Sequence, residues 1–425
     1  MFAIESKRFS AKARTLQWID RYAGVPFCFI LTILRRVGDL LPRGPEAGAP
    51  QDILFLKLSE QGSTVLACDA VRAASARVGR SRVHMLVFEE NRFIVDVLGM
   101  IPPENVHTIE TGSAWAMVLG CFRALRKIRS RRMDACIDLE FFSRFSAAIA
   151  FLTGARRRVG FHAFHGEGPY RGDLLTHRVL YNPQLHTSSA FACLALALNA
   201  DPTIFPTFPV VPPPIQAIPQ FRAELGEREG VARILSDLGM PGAGHLILLN
   251  ANAGDLLPLR KWEGDNYVAL ANRLLAKYPE LFIGFTGSPD ETPGIERLVA
   301  AVNSRRCLSL VGRTTLRQLL VLYGLAEVLV TNDSGPAHFA ALTDIDTVVL
   351  FGPETPHLFA ARGPRTHVLW AGIACSPCIN ALNNRQTACR DNVCMKTITV
   401  GQVFTEVAGI YEARTGASAT RQESH

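Results

Sequence analysis

The chain has 425 residues, 48% of them apolar and 20% charged, with a formal net charge of +7. That length suits two domains of moderate size, and a composition able to bury large cores excludes a mainly disordered protein. The positive balance favours an anionic partner, namely a sugar nucleotide, an anionic lipid head group or nucleic acid. The absence of zinc-finger, RNP and basic-aromatic patterns argues against nucleic acid.

The polar and basic N-terminal stretch shows no A-x-A site after an apolar core, so no cleavable signal peptide is expected. Cys28, Cys68, Cys121, Cys136 and Cys193 lie in apolar runs and read as buried reduced thiols of a cytoplasmic protein. Residues 23–34 (AGVPFCFILTIL) carry no charge and lie between Trp18 and Tyr22 on one side and Arg35 and Arg36 on the other. A spanning helix needs about 20 apolar residues, so this run is too short to cross a bilayer. It is either a helix packed on the protein body or a short interfacial anchor. Its place outside the first domain strand, beyond the Pro/Gly/Ala linker 43–51, favours an anchor within an N-terminal extension, 1–51.

Residues 52–201 read as a doubly wound α/β domain, with strands at 52–56, 83–88, 106–109 and 135–139. Helices at 64–74, 91–98, 114–130 and 145–152 alternate with them. The proline-rich stretch 202–220, with Pro212-Pro213-Pro214, continues neither helix nor central strand and marks a linker. A second domain, 221–399, repeats the alternation, with strands at 246–250, 282–286, 328–331 and 347–351. A helix at 400–411 should pack back across the junction, with the C-terminal tail beyond it. Strand ends of two such domains should face a ligand cleft.

Four strand-end loops of the second domain carry ligand chemistry. In TNDSGPAHFAAL (331–342) a strand ends in a polar turn, and a helix opens near Pro336. Gly335 permits close backbone approach and the free N–H groups favour an anion. Asp333 and Ser334 would equally serve as plain helix caps, and His338 as a satisfied core histidine. In NANAGDLLPLRKW (250–262), Asn252 and the cations Arg260 and Lys261 suit a diphosphate clamp or plain surface charge. In FTGSPDE (285–291), Ser288, Asp290 and Glu291 either hold ribose hydroxyls or complement a helix dipole. Thr314, after Gly312, completes the ring.

In the first domain, the loop Lys57 to Thr64 follows the first strand and contains Ser59, Glu60, Gly62 and Ser63. Glu60 is its only carboxylate, and a hydroxyl nucleophile needs a base, although a glutamate at a helix entry also suits the dipole. Arg123, Arg126, Lys127, Arg129, Arg131 and Arg132, and separately Arg156 to Arg158, are solvated helix faces or contacts for anionic lipid or a phosphorylated acceptor. Cys375, Cys378, Cys389 and Cys394 have short spacings, but not those of a standard zinc ribbon, and read as structural cysteines before zinc ligands or a redox-labile cluster.

Together, ILFLKLSEQGSTVLACDAV (53–71), the 133–161 stretch, NANAGDLLPLRKW, the 311–342 segment, LFGPETP (350–356) and the cysteine-rich tail resemble glycosyltransferase family 9, the bacterial lipopolysaccharide heptosyltransferases. The resemblance runs from about Asp52 to about Tyr411. It implies a GT-B fold of two Rossmann-like domains, an acceptor domain first and a nucleotide-sugar domain second. It also implies inverting transfer from a nucleotide-diphosphate sugar, commonly ADP-heptose, with no cofactor and no metal at the reaction centre. By position, Asp333 to Pro336 and His338 fall at the donor diphosphate and sugar, Lys261 at the phosphates, and Asp290 or Glu291 near the ribose. The family's first loop reads S-x-x-G-D, with the Asp as proposed base, whereas this chain has Ser63 there. A serine is no base unaided, so Glu60 becomes the candidate. The expectation is a transferase acting on a lipopolysaccharide-core or lipid-linked acceptor, cytoplasmic and peripheral on the inner membrane. A catalytically silent sugar-nucleotide or glycan-binding homologue and a GT-B-like epimerase are the alternatives.

Overall fold

The computed structural model describes residues 18–40, 48–163, 170–204, 207–242, 244–254, 257–383 and 385–422. The polar N-terminal stretch, most of the 43–51 linker and the last three residues lie outside that set. Two compact units emerge. One runs through the described residues up to Ala217 and includes Asn380–Gln386; the other comprises Ile218–Ile379 and the chain from Thr387 onward.

The N-terminal unit holds β1 (Ile53–Leu56), β2 (Val83–Phe88), β3 (Val106–Ile109), β4 (Ala135–Asp138), β5 (Arg157–His162) and β6 (His177–Leu180). They form one sheet in the order β3-β2-β1-β4-β5-β6, and every pairing is parallel. The C-terminal unit holds β7 (His245–Asn250), β8 (Leu281–Phe285), β9 (Cys307–Ser309), β10 (Val328–Asn332), β11 (Asp346–Phe351) and β12 (Thr366–Trp370). Their order is β12-β11-β10-β7-β8-β9, again all parallel. Each unit is thus a doubly wound α/β sheet. The central strands ILFL, ACID and VLVTN are buried along their whole length, as strands covered on both faces must be.

Most helices follow from local chemistry. Ser113 caps Ala114–Ser130 by accepting from the Ala116 N–H, and Thr315 with Gln318 forms a capping box on Leu316–Tyr323. The expected helix 64–74 is two, Gln61–Val65 and Cys68–Val78.

Helix Gly24–Asp39 is packed along one edge only. Cys28 and Leu31 bury against Ala147, Ala148 and Leu174, and Thr32 Oγ1 donates to the Cys28 carbonyl and accepts from Asp173 N–H. Among the described residues, no helix is long and apolar enough to cross a membrane. The last helix, Val400–Gln422, places Val403, Val407 and Tyr411 in the core of the C-terminal unit, with Trp262 and Tyr267. This buried face packs within the C-terminal unit.

Candidate functional site

In the C-terminal unit, β7 and β10 are neighbours, yet the strands that follow them in the chain lie on opposite sides, β8 beyond β7 and β11 beyond β10. This is the topological switch point of a doubly wound sheet, where the strand-end loops part and leave a crevice. Asn250 to Asn252 leave one side of it and Asn332 to Ser334 the other, in the register Thr331↔Asn250.

Asn332 is the hub. Fully buried, it donates from Nδ2 to the Asn252 carbonyl (3.2 Å) and accepts from Trp262 N–H at Oδ1 (3.0 Å). Trp262 is pinned in turn by its indole N–H to the Ile398 carbonyl at 2.8 Å. These bonds fix the backbone on either side of the loop that ends in Lys261. The Lys261 side chain is half-buried and has no ion-pair or hydrogen-bond partner among the described residues. The Asn252 Nδ2 is buried without an acceptor. A buried donor left unmet costs about 1–3 kcal/mol, so an acceptor-rich ligand has a ready partner there. Gly287 faces it, since a Cβ at that residue would stand 3.6 Å from Asn252 Nδ2 and 2.9 Å from Glu291 Oε2.

The other expected residues divide. Ser334 occupies the N-cap position of Gly335–Ala340 but makes no cap bond; its hydroxyl donates instead to the Asn332 carbonyl at 3.1 Å. The plain-cap reading therefore fails for Ser334. Asp333 and His338 are buried beside it, Pro336 sits in the first turn, and the space where a Cβ on Gly335 would stand is open. Ser288 and Glu291, by contrast, form a capping box, with Ser288 N–H donating to Glu291 Oε2 at 2.8 Å. The helix-start reading holds for that pair, while Asp290 is exposed on the same turn. Thr314 is half-buried on the neighbouring loop, and its hydroxyl has no partner among the described residues.

Arg260 does not act as a second free cation. It pairs with the buried Glu354 (3.2 Å) and donates to the Ala253 carbonyl (3.0 Å), tying the loop after β7 to the loop after β11. Glu354 went unassigned from sequence, because a carboxylate in a turn carries no local sign of its partner.

In the N-terminal unit the switch point lies between β1 and β4. Lys57 is buried there and donates to Glu140 (3.0 Å) and to the Ser59 carbonyl (2.6 Å), while Glu140 also accepts from Ser59 N–H. This buried pair fixes the start of the loop. Glu60 then adopts a left-handed backbone, φ 64°, which few non-glycine residues tolerate. The Ser63 hydroxyl lies 3.3 Å from Glu60 Oε2 and 3.0 Å from the Glu60 carbonyl. Gly62 is buried inside the same turn. The other Glu60 oxygen is ion-paired with Arg385, which no local pattern singles out. Nearby, burial raises the Asp138 carboxyl to about 7, against the opposing effects of Arg171 and the Ser146 hydroxyl.

The two basic clusters differ. Arg123, Arg126, Lys127, Arg129, Arg131 and Arg132 are exposed. Arg158 is instead buried and donates to the Leu174 and Ala155 carbonyls at 2.6 Å, so Arg156 to Arg158 is no continuous surface run. All ten cysteines are free thiols, and Cys375, Cys378, Cys389 and Cys394 line one cavity of about 190 Å³. Among the described residues, no group of three or more His, Cys, Asp or Glu is arranged to hold a metal ion.

The model of glycosyltransferase family 9 (heptosyltransferase) matches residues 121–388, which contain every C-terminal loop described above. The chain belongs to glycosyltransferase family 9. It is 32% identical over 141 residues to lipopolysaccharide heptosyltransferase 2 of Salmonella typhimurium, covering 32% of this chain and 39% of that one. With lipopolysaccharide heptosyltransferase 2 of Escherichia coli the identity is 26% over 251 residues, 57% of this chain and 66% of the other. The chain thus aligns with less than two thirds of the length of these relatives. Its fold matches the solved E. coli ADP-heptose lps heptosyltransferase II with a TM-score of 0.66 at 20% identity, over 86% of this chain and 99% of that one. A family 9 glycosyl transferase of Veillonella parvula matches at 0.64 and 16% identity, over 85% and 97%. The two doubly wound units are therefore those of the GT-B fold. The family 9 match begins at Cys121, so it does not cover the loop in which Ser63 replaces the expected acid.

Proposed function

We propose that the chain is an inverting glycosyltransferase that moves a heptose or related sugar from a nucleotide-diphosphate donor to a lipopolysaccharide-core or lipid-linked acceptor at the inner membrane face. The observation that carries this reading is the switch-point crevice of the C-terminal unit. There Asn332 holds two loops in place, Asn252 offers a buried unmet donor and Lys261 an unpaired cation. Lys261 neutralises charge on the diphosphate, and Asn252 and the turn Asp333 to Gly335 orient it. Asp290, Ser288, Thr314 and His338 complete the donor surroundings, and the name of the solved E. coli ADP-heptose lps heptosyltransferase II makes ADP-heptose the first donor to test.

Glu60 is the proposed base. An acceptor hydroxyl gives its proton to the Glu60 carboxylate as its oxygen bonds to the anomeric carbon. The bond from that carbon to the diphosphate oxygen breaks on the opposite side, and the nucleotide diphosphate leaves as an anion stabilised by Lys261. Ser63, hydrogen-bonded to Glu60, steadies the base rather than replacing it.

The test is a panel of ADP-, GDP-, UDP- and dTDP-sugars, read by calorimetry for binding and by product formation with truncated lipopolysaccharide acceptors. Transfer from one donor, lost in Glu60→Gln with donor affinity retained, supports the reading. An active Glu60→Gln enzyme overturns the base, and donor binding without transfer to any acceptor overturns the transferase. Nucleotide release that needs no acceptor points instead to an epimerase.

A further inference from the structure

Two helices of the N-terminal unit expose apolar stripes, and both lie on one face of its sheet. Helix Ala114–Ser130 buries Ala124 and Ile128 in the same core cluster as Ile149 and Ala150 of helix Arg144–Leu152, over Leu54, Leu56 and Cys136 of the sheet. Helix Gly24–Asp39 then packs on Arg144–Leu152 through Cys28 and Leu31 against Ala147 and Ala148. Outward, it presents Phe29, Ile30, Ile33 and Leu34, each about half exposed. The neighbouring helix presents Trp115, Val118, Leu119 and Phe122, exposed by 55–78%. The spacing of that second set, i, i+3, i+4, i+7, puts all four on one stripe. Exposed apolar surface of this extent on a charged protein marks an interaction face.

We infer that these two helices form a platform that docks the N-terminal unit on an anionic lipid bilayer. This deepens the membrane part of the function proposed above and does not depend on the transfer chemistry. Charge decides the occupant. The half-turns that follow the Trp115–Phe122 stripe carry Arg123, Arg126, Lys127 and Arg129, then Arg131 and Arg132, all exposed, and the helix contains no carboxylate. Cations beside an inserted apolar stripe complement lipid phosphates. A second copy of the chain would bring the same cations against themselves across a two-fold contact, which opposes self-association. Trp18 and Tyr22, exposed just before the first helix, are side chains of the kind that settle at the head-group level.

The experiment is co-sedimentation of the full chain with vesicles of phosphatidylcholine alone or with 30% phosphatidylglycerol. Two variants are compared with the parent, Trp115→Ser with Phe122→Ser, and Phe29→Ser with Ile33→Ser. Circular dichroism and nucleotide-sugar affinity, measured alongside, confirm that each variant is folded. The expected result is salt-sensitive binding to the anionic vesicles, reduced roughly tenfold or more by either variant. Neutralising Arg126, Lys127 and Arg129 to Gln should weaken it by about a hundredfold. Binding that ignores both apolar variants overturns the platform, and equal binding to neutral vesicles overturns its anionic specificity. A concentration-dependent dimer that does not bind vesicles assigns the face to self-association instead. Transfer to a soluble acceptor reports separately on the enzymatic reading, so the two can fail independently.

Discussion

Arg385 holds the carboxylate of Glu60. The arginine comes from the short segment Asn380–Gln386 that joins the N-terminal unit, 325 residues away in sequence, and pairs with one oxygen while the Ser63 hydroxyl lies against the other. A guanidinium on a carboxylate favours its charged form and fixes its direction. On the proposed assignment of Glu60 as the base, this triad keeps an aimed carboxylate in the loop that follows the first strand.

If Arg385 positions Glu60, Arg385→Gln should lower kcat by about ten- to a hundredfold with donor affinity unchanged, since a well-placed base contributes of the order of 10²–10⁴. Arg385→Lys should recover part of that loss. An inactive Glu60→Gln beside an Arg385→Gln enzyme with unchanged kcat would leave the base in place and remove Arg385 from the mechanism.

Asn332 and Lys261 separate scaffold from ligand contact. Asn332→Ala deletes two buried hydrogen bonds and leaves the Trp262 N–H unmet. It should cost about 2–4 kcal/mol of unfolding free energy in urea melts and weaken nucleotide-sugar binding as well. Lys261→Ala removes a cation with no protein partner among the described residues. It should leave the melt within about 0.5 kcal/mol of the parent and weaken donor binding by roughly tenfold or more. Equal losses of stability in both variants would remove the distinction.

The inner strands were legible because parallel strands buried on both faces read as apolar runs, and 83–88 matches residue for residue, as does the edge strand 106–109. Strand β5 was hidden by Arg157 and Arg158, whose charge imitates a surface run although Arg158 is a buried scaffold residue. Helix Thr187–Ala197 was passed over because it is apolar on nearly every side and has almost no periodicity to detect. At the site, the strand-end loops could be located from sequence, but their partners could not. Arg385 on Glu60 and Glu354 on Arg260 are long-range pairs, set by topology and invisible to local spacing.

The buried histidines make stability depend on pH. His107 stacks on His84 with ring centroids 5.6 Å apart, and burial first, then Lys127, His84 and Arg131, lower it to about 4. A histidine whose folded value lies below its unfolded value of about 6.5 stabilises fully above that value. The contribution is lost as pH falls from about 6.5 through about 4, because the unfolded chain binds the proton first. His162 and His177 are lowered to about 4, also chiefly by burial, and act in the same window. Urea melts should therefore show stability falling between pH 6.5 and 4, and His107→Leu should reduce that fall by about 2–3 kcal/mol. A slope unchanged in His107→Leu would mean that the ring is not held neutral.

Gly172 should prove essential for attaching the N-terminal helix. Its φ of +64° is left-handed, and a Cβ there would lie 2.2 Å from Thr32 Oγ1 and 2.8 Å from the Cys28 carbonyl oxygen. The Asp173 N–H beside it donates to Thr32 Oγ1, and Arg35 pairs with the Asp173 carboxylate, so this turn is where the helix is latched. Gly172→Ala combines a disfavoured backbone with a clash against backbone, which the helix relieves by lifting away. The expected outcome is faster proteolysis within residues 24–39, with the melting of both sheets little changed. Thr32→Val removes the hydroxyl at the same contact without altering the turn, and should loosen the helix by a smaller amount, about 1 kcal/mol. Were Gly172→Ala as protease-resistant as the parent, Cys28 and Leu31 packing alone would suffice to hold the helix against Ala147 and Ala148.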